Sequence, residues 1–129
     1  MAKKLSIVDI IKQKEALKQR ETEVKTQTLF IPSLESEIVV QKPSRALLLE
    51  LKDMPDDGND YLVYQCTVEP NLKGNREQLM KEFGCAEPHE IVKFLFTMSE
   101  TAEIVEQILA LAGINQNGAG VKVVEAIKN

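Results

Sequence analysis

The stretch Thr97-Met-Ser-Glu-Thr-Ala-Glu-Ile-Val-Glu-Gln-Ile-Leu-Ala-Leu-Ala-Gly113 decides how the chain is read. Thr97 with Glu100 three residues on is a capping box, in which each side chain satisfies a backbone N–H that the helix start leaves free. From there Ile104, Val105, Ile108, Leu109, Leu111 and Ala112 fall on one broad face, opposite Glu103, Glu106 and Gln107. That period is the mark of an amphipathic helix with a side to bury. Gly113 stops it, because glycine accepts the left-handed conformation at a helix end without a Cβ clash.

Working back from this helix, Pro88 opens another, carrying Ile91, Val92 and Leu95. Asn75 with Gln78 reads as a second capping box, Leu79, Met80 and Phe83 as the apolar face behind it, and Gly84 as its end. Tyr61–Val68 is ambiguous between strand and helix, and the spacing of Leu62, Cys66 and Glu69 behind a capping Asp60 favours helix. Asp53–Asp60 is a turn-forming acidic loop. Pro43 is placed in the first turn of a helix that buries Leu47, Leu48 and Leu51, since its missing N–H costs nothing there. Further back, Glu23–Ile31 and Glu37–Gln41 alternate in the manner of strands, with Pro32-Ser33 between them, and form a hairpin over 23–41. The first helix is expected over about 6–20, capped by Ser6, with Ile7, Ile10, Ile11 and Leu17 on one face and Lys14 interrupting the stripe.

The fold class that follows is α+β, a predominantly helical single domain over 1–113 with a small N-terminal β-hairpin. Residues 114–129 are expected to be a flexible linker, Asn115–Gly120, and a short amphipathic tail. At 129 residues the chain suits one domain. With 43% apolar and 28% charged residues it has a globular composition, and its 5% aromatic content leaves the core to Leu, Ile and Val. The net charge of −4 is unevenly spread: residues 1–28 hold seven Lys/Arg against four acids, which leaves −7 on the remainder. No secretory signal or spanning segment is read, so a cytoplasmic location with Cys66 and Cys85 reduced is expected.

Chemistry is sparse. One His and two Cys, nineteen residues apart and without a CxxC, cannot make a zinc finger or a disulfide framework. An EF-hand alignment on Gly58 puts Pro55 at the third ligand position and Tyr64 at the twelfth, where a carboxylate belongs. His89 has no nucleophile at hand in the sequence and is expected at the surface. No phosphate loop or dinucleotide fingerprint occurs. The reading is a non-enzymatic protein with no catalytic residue, no cofactor and no metal.

Val68-Glu-Pro-Asn-Leu-Lys73, Leu79, Phe83-Gly-Cys-Ala-Glu-Pro-His-Glu-Ile-Val92 and Glu100 through Gly113, in that order, resemble the tail assembly chaperone family of long-tailed phages and defective prophages of Gram-positive bacteria. The opening Ser6–Ile11 and the ending Val121–Asn129 are similar too, while residues 23–60 match more loosely. Met98-Ser99-Glu100 stands where the family shows Pro-Gly-Glu. The resemblance implies a protein that binds the aggregation-prone tape-measure protein before the tail tube polymerises around it, and leaves before the virion is complete. The tail tube protein is a second candidate partner, and a homo-oligomer is compatible. It also implies a longer frameshifted product, with Lys128-Asn129 as the trace of a slippery run. Such a role calls for an acidic soluble body and an apolar strip able to meet amphipathic helices. The candidate strip is Ile104, Ile108, Leu111 and Ile114, whose competing assignment is the core. Two other classes remain: a structural phage protein, such as a head–tail connector or tail-completion subunit, and a small nucleic-acid-binding regulator using the basic first helix. The acidic total argues against nucleic acid, and no membrane partner is expected.

Overall fold

A computed structural model describes residues 3–114. Two short helices open it, α1 (Ile7–Lys12) and α2 (Lys14–Thr22). Then come β1 (Thr26–Ile31), β2 (Ser36–Gln41), α3 (Arg45–Leu51), α4 (Gly58–Cys66), β3 (Thr67–Glu69), α5 (Arg76–Phe83), α6 (Ile91–Leu95) and α7 (Met98–Leu111). The fold is mixed α+β. The expected linker and tail, residues 115–129, lie outside the described residues.

The hairpin forms as expected. β1 and β2 pair antiparallel from Thr26 opposite Gln41 to Ile31 opposite Ser36. The turn between them is a 3₁₀ turn over Pro32–Leu34, and Glu35 closes it at φ 49°, a left-handed conformation that costs a side-chain-bearing residue some strain. Alternation puts Leu29, Ile31, Ile38 and Val40 on one face, where Ile31, Ile38 and Val40 are buried, and leaves Phe30 exposed on the other. β3 adds a third strand beside β2, so the sheet order is β1-β2-β3. Its pairing, Val39 with Glu69 and Val40 with Thr67, is irregular between Val39 and Val40.

α4 is the centre of the core. The helical reading of Tyr61–Val68 holds through Cys66, after which Thr67 and Val68 belong to β3, and Asp60 is inside the first turn rather than the cap, which is Asp57. Leu62, Val63 and Cys66 are buried against α7, which contributes Ile104, Val105 and Ile108, and against Ile91 and Val92 of α6. Burying side chains of this size contributes about 1.5–3 kcal/mol each, and this cluster is what holds helices to sheet. The Thr97–Glu100 capping box is present in full, with the Thr97 hydroxyl accepting from the Glu100 N–H and the Glu100 carboxylate accepting from the Thr97 N–H. Gly84 ends α5 at φ 68° and Gly113 follows α7 at φ 80°, as glycine at a helix end does.

Four expectations are corrected. Pro43 precedes the helix rather than opening it: Ser44 is the cap, its hydroxyl accepting from the Leu47 N–H. Asn75 makes no cap bond, since its amide donates instead to the Asn71 carbonyl and no box with Gln78 forms. The first helix is two helices divided at Gln13, and α2 continues to Thr22. On its apolar face Ile7, Ile10 and Ile11 are exposed and Leu17 is half-buried.

Candidate protein-binding surface

The N-terminal arm, residues 3–22, carries an apolar surface that is exposed among the described residues. Ser6 caps α1 by accepting from the Asp9 N–H, as expected. Yet neither α1 nor α2 buries a side chain. Leu5 is 71% exposed, Ile7 70%, Val8 61% and Ile11 62%. Lys3, Lys4, Lys12, Lys14, Lys18 and Arg20 run along the same arm. Polar contacts tie its base to the body: the Arg45 guanidinium meets the Glu21 carboxylate at 3.0 Å, and the Lys42 ammonium donates to the Arg20 carbonyl at 3.4 Å.

A second uncovered patch lies across α5, α6 and α7. Phe83 and Phe94 stack tilted with ring centroids 5.4 Å apart, both substantially exposed, and Met98 is 90% exposed. Met98 also borders a cavity of about 480 Å³ lined by Asp56, Asn59, Asp60, Lys93, Phe96, Thr101 and Ala102. Partial burial raises the Asp60 carboxyl above its ordinary value, against the pull of nearby Lys93. Its walls carry two carboxylates, Asp56 and Asp60, and one cation, Lys93.

The strip expected from sequence does not survive as a surface. Ile104 and Ile108 are 3% and 0% exposed and belong to the core against α4. Leu111 packs on the edge of that core, and Ile114 alone is exposed, beside Pro43 and Leu48. The period of α7 was read correctly, but α4 and the sheet already cover that face.

His89, expected at the surface, is buried at 7% exposure. Its Nε2 lies 2.7 Å from the Asp57 carboxylate, and its ring meets Tyr61 edge-on at 5.6 Å. Glu87 and Glu90 beside it form a capping box around the Pro88 turn. The contact pins that turn to the start of α4. Glu100 makes a comparable bridge: besides capping α7 it accepts from the Ser33 N–H at 2.8 Å and the Ser33 hydroxyl at 2.7 Å, joining the hairpin turn to the long helix. These donors hold its carboxyl below the ordinary carboxylate range, the Thr97 N–H first among them. Burial pushes the Cys66 thiol up to about 11, so it behaves as a small apolar group. Cys85 is half-buried. Among the described residues no three His, Cys, Asp or Glu side chains gather as a metal site, and no helix is long and apolar enough to cross a membrane.

No sequence signal marks the arm as bare, because its caps and period are those of any surface helix. The exposed aromatic pair was visible only as two unconnected phenylalanines, eleven residues apart. Compared with protein-family profiles, with curated proteins and with solved structures, the chain matches none.

Proposed function

We propose that the chain is a non-enzymatic tail assembly chaperone, cytoplasmic in the bacterial host, that holds the tape-measure protein soluble during tail morphogenesis. The observation that carries this reading is an acidic body bearing uncovered apolar surface. The arm and the Phe83–Phe94–Met98 patch offer aliphatic and aromatic contact to an amphipathic helix. The excess of acids keeps a complex with an apolar client in solution. The ordered motifs between Val68 and Gly113 supply the identity of the client, and the body is treated as one predominantly helical domain. The tail tube protein is the second candidate client. Contact moves from the expected strip on α7 to these exposed side chains.

The test is co-expression with the tape-measure protein of the same tail operon, followed by solubility and co-purification. The expected outcome is a soluble complex that requires this chain. A client that neither binds nor gains solubility overturns the reading. Mass spectrometry of purified particles separates the structural alternative: a chaperone is absent from the finished virion, whereas a connector or completion subunit is present in stoichiometric copies.

A further inference from the structure

The arm as it stands is physically incomplete. A helix of six residues is too short to persist on propensity alone, since isolated helices below about 12–15 residues are marginal in water. α1 has that length and buries nothing. Five aliphatic side chains, Leu5, Ile7, Val8, Ile10 and Ile11, sit within one short stretch, and contiguous exposed apolar surface of this kind marks a contact site. The arm also differs in charge from the rest of the molecule, with six Lys/Arg against three acids over residues 3–22, attached to a body in strong acidic excess.

Among the described residues the body does not bury it. α2 rises about 14 Å along nine residues, and the Arg45–Glu21 contact fixes its far end to the body. The groove beside Met98, in contrast, offers Met98 and Ala102 for aliphatic contact, with Asp56 and Asp60 against the single cation Lys93 in its walls, an acidic excess that suits ammonium groups. Ligand and receptor are thus both present on one chain.

We infer that the arm of one copy docks on the Asp56–Asp60–Met98 groove of a second copy of this chain. The aliphatic side of α1 covers Met98 and the Phe83–Phe94 pair, and Lys12 and Lys14 meet the two aspartates. Mutual exchange of two arms closes a twofold dimer, and one-way docking builds a larger assembly; either follows from the same contact. The second copy occupies the same side chains that the proposed client contacts, so the two exclude each other there, and self-association is measured without a client.

Sedimentation of the full chain at micromolar concentration is the test, with circular dichroism to establish that each variant is folded. The expected species contains two or more copies and shifts toward monomer on dilution and at high salt. Ile7→Glu with Ile11→Glu, both at exposed positions, reduces it to monomer without lowering the thermal midpoint of the body. Lys12→Glu with Lys14→Glu in the arm, and Asp56→Lys with Met98→Lys in the groove, each abolish association alone. Mixing these two charge-reversed proteins restores a complex, which a merely structural role for any of the four residues would not do. A wild type that is monomeric throughout, arm variants that associate like wild type, or a mixture that stays monomeric overturns the proposal. A monomer in which the α1 amides are nonetheless protected from exchange also overturns it, assigning the arm to this chain's own C-terminal segment.

Discussion

α1 and α7 begin with the same device and end in opposite circumstances. Each starts on a hydroxyl cap, Ser6 in one and Thr97 in the other, accepting from the N–H three residues on. Each then presents branched aliphatic residues at helical spacing. Yet Ile108 is wholly buried while Ile11 is 62% exposed. An apolar period states that a face gains by being covered; it does not state what covers it. For α7 the answer is α4 and the sheet, elements of the same body. For α1 nothing among the described residues covers the face.

The comparison is broken most directly by truncating one isoleucine from each helix. Ile108→Ala leaves a cavity against α4, and such changes cost about 2–5 kcal/mol of folding stability. Ile11→Ala in the monomer removes a side chain already in water, and substitutions of that kind stay within about 0.5 kcal/mol. Chemical denaturation of the monomer reads both. A large loss from Ile11→Ala would mean that the arm is part of the body's cooperative unit and that the contrast is false.

A smaller effect separates the caps. Thr97→Ala removes a capping hydroxyl from the helix that organises the core, at a cost of about 0.5–2 kcal/mol. Ser6→Ala breaks the matching bond in the arm, where the expected result is loss of helical signal with the denaturation midpoint unchanged. Hydrogen exchange sharpens the point: amides of α7 open only with the whole molecule, whereas those of α1 in the monomer exchange through local opening.

How far the sequence led depends on which contacts decide each element. The hairpin and α7 are legible because local pattern and tertiary burial agree there, and Gly84 and Gly113 mark the ends of α5 and α7 by conformation alone. β3 was not, since three residues carry no period and become a strand only because β2 presents an unpaired edge to them. Asn71 took the Asn75 side chain from its expected cap, a competition among polar partners that spacing does not reveal. His89 was placed at the surface because its partner Asp57 is thirty-two residues away. Ile104 and Ile108 of the expected strip lie in the core for the converse reason: the strongest apolar stripe is the one the fold itself needs.

The smallest expected effect concerns acid, and it tests whether the hairpin and α7 act as one unit from which the arm is excluded. Glu100 is held below its ordinary value of 4.5 by the Thr97 and Ser33 donors. A carboxylate with a lowered folded-state pKa contributes stability in full above its unfolded value, and that contribution is lost as pH falls through the folded one. Asp60, raised by burial, has the opposite slope and gains relative stability as it protonates. The two partly cancel in the wild type, so the informative quantity is a difference. Glu100→Gln is less stable than wild type at neutral pH, and the gap narrows as pH falls below about 4.5, because the wild-type carboxylate is then losing the charge that the donors favour. Ser33→Ala reduces the gap between Glu100 and its glutamine variant, since the hydroxyl donor is lost while the backbone N–H at 33 still donates to the carboxylate. Denaturation midpoints between neutral pH and the acid limb measure both. A gap that stays constant with pH would show that Glu100 stabilises α7 by shape rather than by charge. In either case truncating the arm at Thr22 leaves the acid dependence unchanged, because neither partner of this bridge lies in the arm.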